Sequence, residues 1–220
     1  MGTPMGTLKE PESAREQEFG YVCRACSRCC QHKVIQVNPY EVARLARLKK
    51  MSTGEFRAAH TERGEGAILR RTDDTDTCIF LTDKGCSVHS ERPLVCRLYP
   101  LGRRVAEDGR EEWLHATPHP QTAGEYTRKG TIADYIAAQG ALPFMRAADA
   151  YAQWVRDASA FLETAEDTAA DDLVDMDAAI TRHCTATGAP EPSAIEERRL
   201  LHMEILYRQL NQPGGRVEQS

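Results

Sequence analysis

The sequence contains no run of about 18 apolar residues, the length that a membrane-spanning helix needs, so we expect no transmembrane segment. Its first 20 residues also lack the apolar stretch and the small-residue cleavage pattern of a secretion signal. The expected compartment is therefore the cytoplasm, which keeps thiols reduced. Clustered cysteines in that compartment are more often metal ligands than disulfides.

Common catalytic and nucleotide-binding motifs are absent as well. There is no Gly-rich phosphate loop, no G-x-S-x-G and no H-E-x-x-H, and the C-x3-C-x2-C pattern of radical-SAM enzymes is missing. The net charge of −5 gives no general reason to expect nucleic-acid binding. These absences leave open whether the chain is an enzyme, and they leave its cysteines as the strongest chemical signal.

Seven of the eight cysteines fall into two groups. The first group spells C-x2-C-x2-C-C, and the second lies within C-I-F-L-T-D-K-G-C-S-V-H-S-E-R-P-L-V-C. Thiolates two residues apart chelate well, because one short turn can direct both sulfurs at one metal ion. The candidate metal ligands are Cys23, Cys26, Cys29, Cys30, Cys78, Cys86 and Cys96.

The number of thiols exceeds the need of one metal centre. A closed zinc site takes four ligands, and a four-iron cluster commonly takes three from a C-x2-C-x2-C run and one from a remote cysteine. Cys23, Cys26 and Cys29 match the run, and Cys96 has proline nearby on both sides, as a remote ligand often does. An iron–sulfur cluster (4Fe-4S) is favoured and zinc is the alternative. Two centres, bridging thiolates or another role for some cysteines remain open.

Four residues need a separate interpretation, two of them within the main set. Cys29 and Cys30 would point in opposite directions in extended backbone, so they could serve two centres or two edges of one. His89 follows Cys86 with a zinc-like C-x2-H spacing, although a lone histidine more often lies outside the ligand set. Cys184 continues an apolar helical stripe, and we predict that it packs in the core.

The cysteine-bearing part of the chain is basic. Residues 21–110 carry 17 Lys and Arg against 11 Asp and Glu, whereas the sequence after them carries 9 against 18. A basic surround lowers the pKa of a thiol and offsets the charge of a thiolate-rich site. We expect Arg92 and Arg97 to lie at the site, with Arg97 the candidate cofactor-binding residue. The roles of Arg103 and Arg104 stay open.

The hydrophobic pattern predicts an α+β fold, in which a small irregular cysteine-rich metal-binding module packs with a C-terminal helical part. We expect a flexible tail over residues 1–18, the module over 19–125, and helices over 126–212 that are integrated with it. One helix should begin at Pro39, capped by Asn38. Other expected elements are strands at 34–37, 67–70 and 78–81, a short helix at 52–61 and a hairpin around 107–109.

Three amphipathic stripes predict the C-terminal helices, since their apolar residues recur at three- and four-residue steps. A Gly188–Pro192 segment should separate the last two helices. The stripes comprise Phe144, Ala148, Tyr151, Val155, Ala158 and Leu162, then Leu173, Met176, Ile180 and Cys184, then Leu200, Met203, Tyr207 and Leu210.

The two cysteine motifs together resemble the YkgJ-like family, whose mark is a CxxCxxCC cysteine cluster in a zinc- or iron-chelating domain. The resemblance is carried by C-R-A-C-S-R-C-C at 23–30 and by G-C-S-V and R-P-L-V-C-R-L-Y-P within 85–100. It covers about residues 19–125. A related cluster occurs in flagellin lysine methylases, and this kinship implies an iron–sulfur centre and a role in protein modification.

The chain departs from the family pattern at one place. Many members carry another cysteine in a C-P-G segment after the second motif, where this chain has Thr117-Pro118-His119. Either one ligand is missing here, or His115 or His119 replaces it. His89 stands where relatives usually have an aromatic residue, which weakens its case as a ligand.

The leading prediction is a cytoplasmic metal-binding protein that acts in electron transfer, in metal handling or as an accessory to a protein partner. Neither nucleic acid nor a membrane is expected among its partners. The alternatives are a protein-modifying enzyme similar to a lysine methylase that uses the cluster, and a zinc-stabilised interaction module. Because the module has many loops and few large apolar residues, its folding should depend on the metal.

Overall fold

The computed structural model describes residues 14–24, 26–62, 67–106, 108–159 and 174–211. Small sheets occupy the N-terminal part and helices the C-terminal part, which confirms the predicted α+β class. No helix among the described residues is long and apolar enough to cross a membrane. The strands are β1 (Glu18–Val22), β2 (Gln36–Val37), β3 (Ala67–Ile68), β4 (Leu81–Thr82), β5 (Gly85–Cys86), β6 (Leu101–Val105), β7 (Glu111–His115) and β8 (Glu125–Thr131). The helices are α1 (Pro39–Lys49), α2 (Thr53–His60), α3 (Leu94–Leu98), α4 (Ile132–Ala138), α5 (Leu142–Asp157), α6 (Met176–Thr187) and α7 (Ile195–Leu210).

The helix starts of α1 and α2 follow from their capping residues. The Asn38 side chain accepts a hydrogen bond from the Glu41 backbone N–H at 3.1 Å, and the Glu41 carboxylate accepts one from the Asn38 N–H at 2.9 Å. Ser52 and Glu55 form the same reciprocal cap at the start of α2. Both helices therefore begin where the sequence predicts, because these local contacts satisfy N–H groups that the first turn leaves unpaired.

The described strands form four separate two-stranded antiparallel sheets, β1–β8, β2–β3, β4–β5 and β6–β7. The hairpin predicted around residues 107–109 is confirmed as β6–β7. The strand predicted over residues 78–81 is wrong at its two central positions. Residues 79 and 80 lie in a turn closed by the hydrogen bond from the Leu81 N–H to the Cys78 carbonyl at 2.9 Å, and the Phe80 side chain, only 2% exposed, packs into the core from this turn.

The expected tail contacts the fold before its predicted end. Glu18 opens β1, and the Arg15 guanidinium binds both carboxylate oxygens of Glu111 at 2.6 and 2.7 Å. Residues 1–13 lie outside the described part of the chain. β8, the partner of β1, was not predicted, because its sequence E-Y-T-R-K-G-T shows no apolar alternation.

The apolar residues gather in three clusters. One lies among the C-terminal helices and includes Trp154 and Leu206, both fully buried. A second joins β1 to α3 and α4. The third includes Phe56 and Phe80 and underlies the cysteines, three of which pack against it. The cysteine module thus has an apolar core of its own.

The stripe predicted for α5 is wrong at two positions. Ala147 and Trp154 are fully buried, whereas the stripe placed Ala148 and Val155 on the buried face, and Val155 is 44% exposed. The stripe residues Phe144, Tyr151 and Ala158 are buried as predicted, and the large indole ring of Trp154 is buried with them in place of Val155. Leu162 and Leu173, which belonged to the predicted stripes, lie outside the described residues.

The α7 stripe also needs a correction. Leu200 is 58% exposed, while Leu206 and the polar His202 are fully buried. The imidazole Nδ1 of His202 lies 2.8 Å from the Tyr151 hydroxyl, so the buried histidine has a hydrogen-bond partner on α5. The burial of His202 could not be predicted from the sequence, because a buried imidazole needs a hydrogen-bond partner and this partner comes from another helix.

Arg103 has a structural role. Its Nη1 and Nη2 donate to the two carboxylate oxygens of Asp149 on α5 at 2.6 and 2.8 Å, and its Nε donates to Glu111 on β7 at 2.8 Å. The side chain is only 8% exposed. It joins the β6–β7 hairpin to the helices. Arg104, by contrast, has a 72% exposed side chain and belongs to the solvated surface.

The buried His202 predicts acid-sensitive stability. Burial lowers its pKa to about 4, below the ordinary value of about 6.5, so the unfolded chain binds the proton more readily. Stability should therefore be present above about pH 6.5 and decrease as the pH falls towards 4, with a loss of about 2 kcal/mol between pH 7 and pH 5. Urea unfolding of the wild type and His202→Gln at both pH values measures it. An equal pH dependence in the two proteins would contradict the assignment.

Candidate metal centre

The first cysteine group begins where β1 ends. Cys23 follows the strand and is exposed, and Cys26 is partly exposed. Ser27 then adopts a left-handed conformation with φ of 60°, and residues 28–30 form a single 3₁₀ turn closed by the hydrogen bond from the Cys30 N–H to the Ser27 carbonyl at 3.0 Å. This change of direction separates the first two thiols from Cys29 and Cys30.

Backbone pairing brings the second cysteine group to the first. The Cys78 N–H donates to the Cys30 carbonyl at 2.9 Å, and residues 31 and 77 form a bridge beside it. Cys86 lies on the short β4–β5 hairpin that follows Cys78. Cys96 lies on α3, whose first N–H, that of Leu94, donates to the buried carboxylate of Glu41 at 2.6 Å. Three separate segments therefore supply thiols to one region.

The adjacent pair Cys29–Cys30 is held by a hydrogen bond between the two sulfurs. That bond lowers the pKa of Cys29 to about 6, and the nearby cations Lys33 and Arg92 lower it further. The same bond raises the pKa of Cys30, as do burial and the charges of the neighbouring thiolates. One thiolate and one thiol donor is the arrangement that this pair favours.

Burial dominates at the other thiols of this region. It raises the pKa of Cys96, and the charges of Cys78, Cys29 and Cys86 raise it further. Burial likewise raises the pKa of Cys78, next to Cys86 and Cys29. The backbone hydrogen bond between Cys78 and Cys30 and the apolar core shared by Cys78, Cys86 and Cys96 place these thiols in one region. We call the five thiols the inner thiols: Cys29, Cys30, Cys78, Cys86 and Cys96.

The remaining two clustered cysteines, Cys23 and Cys26, are the outer thiols. The Cys26 sulfur accepts a hydrogen bond from the Ala123 N–H at 3.4 Å and lies 3.5 Å from the Thr122 hydroxyl. The pKa of Cys26 is lowered by the Arg28 backbone N–H first, and by these two contacts as well. The segment before β8 therefore helps to hold the outer thiols in place.

The side chains do not converge on a single point as they stand. Within residues 14–24, 26–62, 67–106, 108–159 and 174–211, no group of three or more His, Cys, Asp or Glu side chains is arranged to hold a metal ion. The donor chemistry nevertheless fits a soft metal, because the inner thiols are all sulfur. Metal binding would replace the thiol protons and require these side chains to turn towards a common centre.

Arg97, the candidate cofactor-binding residue, uses its guanidinium for contacts with protein groups near Cys96. Its two terminal nitrogens donate to the carbonyls of Gln139 at 2.9 Å and Ser90 at 2.5 Å, and its guanidinium lies 4.0 Å from the centre of the Phe144 ring. Burial lowers its pKa to about 10. Arg97 thus joins the backbone just before α3 to the end of α4. Contact with a cofactor stays a prediction.

The three candidate histidines contact other groups. The ring of His89 faces Arg92, with 3.4 Å between Nδ1 and the guanidinium, and burial and the arginine lower its pKa. His115 packs edge-on against an aromatic ring at 5.3 Å. The Nδ1 of His119 accepts the Gln121 N–H at 3.1 Å. These contacts give a structural explanation for each histidine, and ligation by any of them stays a prediction.

Two residues near the thiols were not identified from the sequence. Glu41 is only 3% exposed and uses one carboxylate oxygen to hold α3, which carries Cys96. Lys33 lies 4.1 Å above the ring of Tyr99 and close to Cys29. Only Asn38 was identified from the sequence at the cap of α1, and the contact of Glu41 with α3 could not be predicted because it spans 53 positions.

Cys184 packs in the core of the C-terminal helices, as predicted. It is 5% exposed, and its S–H points to the Pro190 carbonyl at 3.8 Å. Cys184→Ala should therefore keep the metal content and cost at most about 2 kcal/mol of folding free energy, as for a modest core truncation. Metal analysis and urea unfolding test this expectation. Loss of metal in the variant would show that Cys184 contributes to the metal centre and that its assignment to the core is wrong.

Comparison with known proteins agrees with the cysteine motifs. Residues 22–118 match the family model CxxCxxCC, described as "Putative zinc- or iron-chelating domain". All seven clustered cysteines fall inside this match. No curated protein and no solved structure matches the chain. The family recognised from the two motifs is confirmed by this match: residues 22–118, somewhat less than half of the chain, form a CxxCxxCC domain.

Proposed function

We propose that the chain is a metal-binding protein whose clustered cysteines hold a thiolate-ligated centre, with a four-iron cluster favoured and zinc as the alternative. The observation that carries the proposal is the match of residues 22–118 to a zinc- or iron-chelating domain, and the 2.9 Å hydrogen bond from the Cys78 N–H to the Cys30 carbonyl supports it by joining the two cysteine groups. Thiolate ligands select zinc and iron–sulfur clusters over hard cations. A bound cluster would supply electron transfer, whereas zinc would supply structural stability.

The charges around the inner thiols support this function. Thiolates concentrate negative charge, and Lys33 and Arg92 lie close enough to Cys29 to lower its pKa. Arg92 is itself fixed, because its Nη1 donates to the His89 carbonyl at 2.7 Å and its Nη2 to the Gln139 side chain at 2.6 Å. Fixed cations of this kind stabilise an anionic metal–sulfur centre without moving when it forms.

The protein would act in electron transfer, in metal handling or as an accessory to a protein partner. Each of these roles suits a reducing compartment such as the cytoplasm, where the thiols stay available to a metal. Exposed and partly exposed thiols favour a role in which another molecule approaches the site. A protein partner is therefore part of the proposal.

Anaerobic purification followed by metal and sulfide analysis tests the proposal. A cluster predicts iron with acid-labile sulfide and a brown protein that absorbs at about 400 nm, whereas zinc predicts a colourless protein. Cys184→Ala should give the same metal content as the wild type, because its thiol lies in the helical core. A wild-type chain isolated anaerobically without iron, zinc or sulfide would contradict the proposed function.

A further inference from the structure

An open groove with a volume of about 530 Å³ lies where the N-terminal end of α1 meets α3 and α5. Its walls are mostly apolar, and among the described residues that line it none is a cysteine. The volume lies within the range of about 300–1,000 Å³ that small-molecule sites usually occupy. The apolar lining includes Val37, Val42, Leu94, Val95, Ala152 and Val155.

Two valines at this groove are exposed although their side chains are apolar. Val95 on α3 is 48% exposed, and Val155 on α5 is 44% exposed. Single exposed apolar residues are ordinary on protein surfaces, but these two line the same concave surface. The groove therefore offers aliphatic surface that a bound alkyl chain would bury.

One charged group lies among these apolar side chains. Glu41, only 3% exposed, is the single charged residue among the described residues that line the groove. Its carboxylate accepts hydrogen bonds from the Leu94 N–H at 2.6 Å and from the Asn38 N–H at 2.9 Å, and both of these residues also line the groove. The carboxylate therefore lies between two parts of the groove wall.

Within the described part of the chain, no ion pair joins this carboxylate to a basic side chain. Burial raises the pKa of Glu41, whereas the two N–H donors and the charge of Arg97 lower it. Arg97 acts from a distance, because its terminal nitrogens donate to the Gln139 and Ser90 carbonyls. A carboxylate has about four lone-pair sites, so the two N–H groups leave room for a further donor. A donor that is also a cation would stabilise the buried charge most.

We propose that this groove binds a small aliphatic monoamine, with its alkyl chain against the valines and its ammonium group directed to the Glu41 carboxylate. One carboxylate matches one cationic group, and the apolar walls match a chain that carries no further charge. The site is separate from the clustered cysteines. It goes beyond the proposed function, and its test does not depend on a bound metal.

The test titrates the anaerobically isolated, isotope-labelled full chain with n-hexylamine and follows the backbone amide signals by NMR. At about pH 7 the amine is charged, and the amide signals of Val95 and Ala152 should shift in a saturable way. n-Hexanol has the same alkyl chain without the charge and should bind about tenfold more weakly, because it lacks the charge-assisted hydrogen bond. n-Hexanoate, which carries the opposite charge, should give no saturable shift.

Three variants locate the amine. Val155→Lys places a cation at an exposed position of the groove and should weaken n-hexylamine binding about tenfold, because like charges repel. The matched control is Leu200→Lys, which changes an exposed apolar residue on α7 outside the groove and should bind the amine as the wild type does. Glu41→Gln removes the charge with little change in shape and should abolish the preference for the amine over the alcohol.

Three outcomes would overturn the inference. Equal affinities for n-hexylamine and n-hexanol would show that the Glu41 carboxylate takes no part in binding. The absence of a saturable shift at the groove, which would also result if another part of the chain fills it, would show that it is not an amine site. Unchanged binding by Val155→Lys would place the amine elsewhere. If Glu41→Gln does not fold, because Glu41 also holds α3, the comparison of Val155→Lys with Leu200→Lys decides.

Discussion

Replacing Cys96 with serine should strip most of the metal from the protein and lower its melting temperature. Cys96 is a partly buried thiol on α3, packed against the apolar core, and the charges of three other inner thiols act on it. A serine hydroxyl is a far poorer ligand for a soft metal than a thiolate is. We expect metal affinity to fall by at least about 100-fold, since even supporting residues outside the ligand shell are worth 10–100-fold.

Metal analysis and thermal unfolding of the Cys96→Ser protein measure these effects. Cys29→Ser should behave in the same way, because Cys29 belongs to the same group of thiols: its charge raises the pKa of both Cys78 and Cys96. The matched control is Cys184→Ser, which changes a cysteine in the separate helical core. Full metal retention in both Cys96→Ser and Cys29→Ser would show that the inner thiols are not the ligands.

Removing the metal should unfold much of the cysteine module while the C-terminal helices survive. The module contains two-stranded sheets, some with only two paired residues per strand, which are marginal in water without further support. The helices α5, α6 and α7 share a large apolar core that includes Trp154, Ile180 and Leu206. Loss of the metal should therefore act locally, as expected when regions of a chain differ in stability.

Hydrogen exchange on the metal-bound and metal-free proteins measures the effect region by region. Protection should fall across residues 19–125, most strongly where backbone bonds join the cysteine segments, and should persist in α5 and α7. The core that contains Phe56 and Phe80 should retain more protection than the loops around it. Equal protection of residues 19–125 in both forms would show that the metal does not stabilise the module.

Local sequence signals predicted the fold elements that depend on local contacts. The starts of α1 and α2 follow from capping boxes at Asn38 and Ser52, and the β6–β7 hairpin from its turn residues. The pairing of β1 with β8 could not be predicted, since it joins segments about a hundred residues apart. The buried face of α5 depended on where Trp154 packs, which periodicity alone does not determine.

The candidate site was predictable in composition and less so in arrangement. Spacing grouped the seven thiols, and the sequence placed Arg92 at the site, which its electrostatic influence on Cys29 supports. The division into inner and outer thiols was not predictable, because it arises from the left-handed turn at Ser27 and from the pairing of Cys78 with Cys30. The anchoring of α3 by Glu41 likewise exists only in the folded chain.

The extended X-ray absorption fine structure of the bound metal tests the central claim most directly, because it identifies the atoms that surround the metal and their distances. The sample is the anaerobically isolated wild-type protein, with its metal first identified by elemental analysis. Our account predicts a first shell made of sulfur, at about 2.3 Å if the metal is zinc. A shell dominated by nitrogen and oxygen at about 2.0–2.2 Å would contradict it, because the metal would then be bound by residues other than the clustered cysteines.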